Sequence, residues 1–226
     1  MKTNLKKTVL WIVAGIFLVA AVHWAAAQFQ YRRDIIWTTR TDEYRLVCRG
    51  IYNSALEELE EITADLRRPW AVVLDVDDTL LSSAEYRIAL KRRRTIFYRP
   101  RWRDWCRRGD DPAVPGGAGF TRKARELGGK VVLITNRQEE LRAPTEKNLQ
   151  LRNIEYDALL MSGPDTSKTI WREKVEKGTA VPDLGPLKIV MLIGDKVTDF
   201  PHGSDAKQFA RKWGQKYFII PNPMRP

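Results

Sequence analysis

The stretch Trp70-Ala-Val-Val-Leu-Asp75-Val-Asp-Asp-Thr79-Leu-Leu81 decides the fold of this 226-residue chain. Its first five residues are apolar without interruption, the pattern of a strand buried on both faces of a sheet. Three carboxylates and a hydroxyl then crowd into five residues, where such a strand would end. Pro69 stands just before it and closes a helical pattern over Thr41–Arg68, in which Ile51, Ala55, Leu59, Ile62 and Leu66 recur every three or four residues. Similar apolar runs follow at Lys130–Thr135, Asp157–Met161, Lys188–Gly194 and Lys216–Ile220. Between them the spacing predicts helices over about Phe120–Leu127, Gln138–Leu151, Ser167–Lys177 and Val197–Trp213. That alternation predicts an α/β fold, a parallel five-stranded sheet with helices on both faces. The 54 residues between Asp75 and Lys130 are too many for one crossover. The excess, about 83–115, predicts a small, mainly helical cap inserted after the first core strand, with Gly109–Gly117 as its turn-rich return.

Ligands of open parallel sheets bind beyond the carboxyl ends of the strands. There the chain places Asp75, Asp77 and Thr79, then Thr135-Asn136-Arg137, then Asp195 followed by Asp199. Lys168 stands just past the third run. Hard oxygen ligands beside one cation suit Mg²⁺ and a phosphate group, because several ionised carboxylates and a phosphate dianion repel one another without a metal. Asp195 and Asp199, four residues apart, are expected one helical turn apart on one face. Asp78 is expected to act structurally, capping a helix N-terminus. An EF-hand loop starting at Asp75 fails, since Leu80 occupies the glycine position and Tyr86 the final glutamate position. The Asp-x-Asp motif of metal-dependent glycosyltransferases fits locally but leaves Thr135, Lys168 and the Asp195/Asp199 pair unexplained.

Composition narrows the chemistry. Apolar residues make up 43% and charged residues 30%, enough apolar material for a packed core. Only two histidines occur, and His23 lies in an N-terminal segment with the character of a targeting signal; that leaves His202 alone and excludes three-histidine zinc sites, His-x-x-x-His metalloproteases and two-histidine phosphatases. No Gly-x-Ser-x-Gly elbow is present to accompany His202 in a hydrolytic triad. Two cysteines, Cys48 and Cys106, allow one disulfide, and their separation leaves the pairing open.

Lys2, Lys6 and Lys7 precede an apolar heart at Val9–Val22, and Ala25-Ala26-Ala27 supplies small residues for cleavage. Residues 1–27 are therefore expected to be a signal peptide, or a membrane anchor if uncleaved, and the protein to be exported, periplasmic or secreted. No cysteine near this segment offers a lipid site. Residues 28–68 follow as a helical extension and 69–226 as the core. The net charge of +11 is local: residues 1–27 carry +3, and Lys91–Arg108, with nine basic residues and one acid, carries +8, interleaved with Phe97, Tyr98, Trp102 and Trp105. Such a mixture attracts phosphates and offers rings for stacking, so a non-catalytic binder of nucleic acid or another anionic surface is the rival reading.

Taken together, Asp75-x-Asp-x-Thr79, Thr135, Lys168 and Asp195-x-x-x-Asp199 resemble the four motifs of the haloacid dehalogenase (HAD) superfamily. Residues 71–81, Trp102-x-x-Trp105, 114–118, Leu133–Arg137 and Pro221-Asn-Pro-Met224 are similar to the exported class C acid phosphatases, relatives of a lipoprotein 5′-nucleotidase. The resemblance implies a HAD-like, Rossmann-type core and a Mg²⁺-dependent phosphomonoesterase; the aromatic residues of the cap suggest a stacked base or aryl leaving group, hence nucleoside monophosphates or aryl phosphates as substrates. It implies Asp75 as nucleophile and Asp77 as general acid and base. Thr135, Asn136 and Lys168 would hold the phosphoryl group, with Lys174 as the alternative lysine. It further implies a metal held by Asp75, the Asp77 backbone carbonyl, Asp195 and Asp199, and a homodimer; Phe97, Tyr98, Trp102 and Trp105 are the candidate stacking residues by their place in the basic stretch.

Overall fold

The computed structural model describes residues 2–93, 95, 97–163, 166–201 and 210–224. Five strands form one sheet: β1 (Trp70–Leu74), β2 (Lys130–Gln138), β3 (Ala158–Ser162), β4 (Lys188–Gly194) and β5 (Tyr217–Ile219). All neighbours are parallel, in the order β3-β2-β1-β4-β5. The continuous apolar character of β1 follows from its place at the centre, where every residue is buried. Val72 and Leu74 face one core with Tyr52, Leu59 and Phe120; Ala71 and Val73 face the other with Val175, Phe200 and Tyr217. This is the two-residue alternation of a strand covered on both sides.

The first core is covered by α2 (Asp42–Thr63) and α5 (Gly117–Glu126), the second by α7 (Lys168–Lys177). Helix α2 starts where the Thr41 hydroxyl accepts the Tyr44 N–H, and it buries Tyr44, Cys48, Tyr52, Ala55 and Leu59 along one stripe. Truncating a side chain such as Leu59 to alanine costs about 2–5 kcal/mol. Cys48 and Cys106 are both free thiols within this core, so the sulfurs serve as small apolar groups. Gly129, just before β2, lies against the Trp70 indole, leaving no room for a side chain there.

Between β1 and β2 lie α3 (Ala84–Arg92) and α4 (Arg99–Cys106), the helices of the expected cap. Helix α6 (Arg142–Leu151) links β2 to β3 and accepts Pro144 in its first turn, where proline costs no hydrogen bond. At the N-terminus α1 (Lys2–Arg40) is one unbroken helix across the expected boundary at residues 27 and 28. Its apolar part, Lys7–Ala26, is 20 residues long and exposed, long enough to cross a bilayer, whereas Val9–Val22 alone is short. Its far end turns onto the body, with the Trp37 and Tyr44 rings edge to face at 5.1 Å.

Two expectations need correction. β2 runs past Thr135 to Gln138, so Asn136 and Arg137 extend the strand, and only a short 3₁₀ turn precedes α6. Asp199 is not one α-helical turn from Asp195: Val197–Asp199 is a 3₁₀ turn and Phe200 is extended. Pro201 biases its predecessor toward extended backbone, which ends the turn. Of the helix expected over Val197–Trp213, residues 202–209, His202 included, lie outside the described residues.

Candidate active site

From β1 the chain moves outward through β2 and β3 on one side, then through β4 and β5 on the other. The topological switch point therefore lies between β1 and β4, where open α/β sheets leave a crevice. Asp75 follows β1 and Asp195 follows β4, with the Asp75 N–H donating to the Ile193 carbonyl at 3.0 Å. The loop after Asp75 is tight: Leu80 and Leu81 N–H groups both donate to the Val76 carbonyl at 2.9 Å. Asp78 sits at φ +61°, a left-handed conformation that aspartate tolerates through local side-chain bonds. Its carboxylate accepts the Ser83 N–H at 2.7 Å, the Ser83 hydroxyl at 2.8 Å and the Asn222 amide at 2.9 Å. Asp78 is thus a loop clasp at the start of α3. From α2, the Tyr52 hydroxyl donates to the Thr79 carbonyl at 2.8 Å.

Asp75, Asp195 and Asp199 converge, each offering a carboxylate oxygen within 4.8 Å of the others, and all three are buried. Lys168, whose side chain is 10% exposed at the start of α7, donates to Asp75 at 2.5 Å and to Asp199 at 2.7 Å. Lys174 instead lies over the Trp171 ring at 4.9 Å. Asn222 donates to Asp195 at 2.7 Å. Asp199 is held from three sides: its carboxylate accepts the Lys196 N–H at 2.9 Å, its carbonyl accepts Arg172 at 2.9 Å, and it occupies the space a side chain on Gly194 would fill. Burial raises the Asp75 pKa well above the ordinary carboxylate value; Lys168 opposes this, and Asp199, Asp195 and Asp77 add to it. Burial disfavours the Lys168 charge, yet Asp75 and Asp199 outweigh that and raise its pKa. One ammonium cannot balance three buried carboxylates, and an all-oxygen donor set fits a hard divalent cation.

The Asp77 carboxylate belongs to a different pairing. Arg137 donates to its Oδ1 through Nη2 at 2.8 Å and Nε at 3.1 Å, and to its Oδ2 through Nε at 3.3 Å. Arg137 also reaches Asp111 at 3.1 Å and Thr145 at 3.2 Å. Burial works against the guanidinium charge, but Asp77, the Cys106 thiol and Asp111 hold its pKa above the usual value.

A cleft of about 640 Å³ opens above Asp75, Asp77 and Asn136. Its outer wall comes from the cap, through Arg87, Phe97, Arg99, Trp102 and Arg103. The cap rings pack on buried Tyr86, whose ring lies 5.0 Å from Trp102 and 6.3 Å from Phe97. Two expected stacking residues do not line the cleft. Trp105 donates to Asp111 at 2.6 Å with Arg108 stacked on it at 3.9 Å, and Tyr98 is exposed beside Arg101. Thr135 is buried and accepts the Arg137 N–H at 3.1 Å, while Asn136 is exposed to the cleft. Sequence reading missed Arg137, Asp111, Arg172 and Asn222 as site residues. Arg137 and Asn222 stand inside the quoted motifs Leu133–Arg137 and Pro221–Met224, whereas nothing local marks Asp111 or Arg172.

Residues 15–225 match the family model of the HAD superfamily, subfamily IIIB (acid phosphatase). The chain is 30% identical to acid phosphatase 1 of Solanum lycopersicum over 162 residues, 71% of this chain and 59% of that protein, so it spans less than two thirds of that relative. In three dimensions it is similar to the class C acid phosphatase of Bacillus anthracis, with a TM-score of 0.75 at 23% identity over 87% of this chain and 85% of that one. The same Bacillus anthracis enzyme with tungstate bound superposes equally well, at 24% identity. At these identities the structures speak to the fold, and the family model covers nearly the whole chain. With its parallel sheet, its acids at the strand tips and this match, the chain belongs to the HAD superfamily, subfamily IIIB.

Proposed function

We propose that this protein is an exported, Mg²⁺-dependent phosphomonoesterase that works through an aspartyl-phosphate on Asp75. The observation that carries the reading is the convergence of Asp75, Asp195 and Asp199 with Lys168 bonded to Asp75 at the switch point. Asp75 attacks phosphorus in line while Asp77, two residues on and lining the same cleft, protonates the leaving oxygen. Asp77 then takes a proton from the water that hydrolyses the intermediate. Lys168, Thr135 and Asn136 hold the phosphoryl oxygens as charge shifts among them. Bound Mg²⁺ would be held by Asp75, Asp195 and the Asp77 carbonyl, with Asp199 ordering its waters, and would offset the repulsion between the carboxylates and a phosphate dianion. Tungstate, named in the Bacillus anthracis structure, is a tetrahedral oxyanion of the kind this arrangement would accept.

The substrate we infer is a nucleoside monophosphate or aryl phosphate, because Phe97 and Trp102 offer rings on the cleft wall and Arg87, Arg99 and Arg103 offer cations beside them. The basic stretch 91–108 then serves substrate approach rather than a separate nucleic-acid-binding role. The exposed apolar helix Lys7–Ala26 behind its lysines supports export, as a cleaved signal or as an anchor. A homodimer is part of the same reading, on family resemblance, and light scattering would measure it. The deciding experiment is para-nitrophenyl phosphate hydrolysis by the full chain in detergent, with Mg²⁺ and with EDTA, from pH 5 to 8. Mg²⁺-dependent turnover is expected; a folded chain with none refutes the reading.

A further inference from the structure

We infer that Arg137 is a positioning residue that sets Asp77 for proton transfer, holding its Oδ1 by two hydrogen bonds and its Oδ2 by a single longer one. The inference rests on the reading of Asp77 as acid and base. The Arg137 side chain is fully buried, and each of its three nitrogens has a described acceptor: Nε and Nη2 on Asp77, Nη2 on Asp111, Nη1 on Thr145. Asp111, 2% exposed, is the second carboxylate on the guanidinium. Asp77 is the more accessible of the two carboxylates, 14% exposed, and it alone of the pair lines the cleft.

The fork treats the two Asp77 oxygens unequally. Oδ1 accepts two bonds, at 2.8 and 3.1 Å, whereas Oδ2 has one at 3.3 Å. A planar guanidinium fixes the plane of a carboxylate in a way a lysine ammonium cannot. Asp111 is itself held, by Trp105 at 2.6 Å through its side chain, and by Asn148 through its backbone N–H and carbonyl, both at 2.9 Å. A continuous set of contacts therefore runs from the cap helix α4 through Trp105, Asp111 and Arg137 to Asp77. In the first half-reaction the Asp75–phosphorus bond forms as the bond to the leaving oxygen breaks, and the Oδ2 proton passes to that oxygen. In the second half-reaction the water oxygen bonds to phosphorus as the Asp75 oxygen–phosphorus bond breaks, releasing phosphate and the Asp75 carboxylate, and Asp77 recovers its proton from that water.

Protonation of the leaving group matters for a poor leaving group and hardly at all for a good one, which separates positioning from a merely structural role. The value of kcat/KM reports the first half-reaction, so it isolates that proton. In full-length Arg137→Lys, kcat/KM for glycerol phosphate is expected to fall about 100-fold, and for 2,4-dinitrophenyl phosphate by less than about 5-fold. Thr145→Val, which removes one Arg137 acceptor without changing shape, is expected to lower the glycerol phosphate value about 3-fold and to spare the activated ester. It carries the test if Arg137→Lys does not fold. An equal loss on both esters, or no loss on glycerol phosphate, overturns the inference. Asp77→Asn measured on the same pair tests the underlying reading separately: equal losses there show that Asp77 is not the acid.

Discussion

Two regions of this molecule are dense in charge, and they behave oppositely. At the tips of β1 and β4, Asp75, Asp195 and Asp199 are buried and each is held by named neighbours. Along the cap, Arg103, Arg107 and Arg108 pair with Glu140, Asp104 and Asp110 in contacts that are each at least about a third exposed. Water and salt screen the second set, so those pairs contribute roughly 0–1 kcal/mol each. In the first set desolvation makes every missing partner costly, so geometry and charge balance are tightly coupled. Charge density read along a sequence does not distinguish the two; burial does.

The largest expected effect belongs to the buried region. Asp75→Asn should lower phosphatase kcat by roughly 10³-fold or more while circular dichroism stays native. The same change should help folding. Because burial raises the Asp75 pKa, the folded chain keeps a proton that the unfolded chain releases. That contribution is complete below the unfolded value and is lost as pH rises through the folded one. Metal-free Asp75→Asn should therefore melt above wild type at neutral pH, with the gap closing in acid. A gap that widens toward acid would break the contrast, since it would make Asp75 a stabilising anion without metal.

Next in size is the response to cation. Mg²⁺ at about 100 times its Kd should add about 2.7 kcal/mol to wild type, read as a rise in Tm. Asn222→Ala, which frees Asp195 and Asp78 from their shared donor, should shift the Mg²⁺ midpoint of that rise about 10-fold upward. No thermal response to Mg²⁺ would remove the metal from the proposal.

The cap gives smaller effects. Trp102→Ala should raise KM for a nucleoside monophosphate about 10-fold and leave KM for glycerol phosphate nearly unchanged, as expected for a lost stacking face. Equal changes would mean the ring only supports the cap through Tyr86. Smallest of all, Arg107→Gln should alter stability by less than about 0.5 kcal/mol and activity by less than about twofold. A large loss there would show that the exposed arginines do more than steer.

Much of this arrangement was legible along the chain because it is written in local patterns. The apolar runs at Trp70–Leu74 and Lys188–Gly194 read as buried strands, and the acids at their ends marked the rim. Arg137 was visible but without a role, because its partners Asp77 and Asp111 lie 60 and 26 residues away. Asn222 meets Asp78 across 144 residues. The expected helical spacing of Asp195 and Asp199 failed because Pro201 and the Asp199 bonds bend the segment into the site.

Strand periodicity and the identity of strand-end residues are local properties, so the sequence by itself determined the α/β class, the cap's place after β1 and the aspartates of the rim. Which carboxylate meets which cation was decided only by the tertiary structure. Sheet order sets β4 beside β1 and β2 on its other side, so that Asp75 takes Lys168 while Asp77, two residues later, takes Arg137. The chain turns tightly beyond the strand tip, so Asp75 and Asp77 face different neighbours, and burial then obliges each charge to accept the partner it finds there.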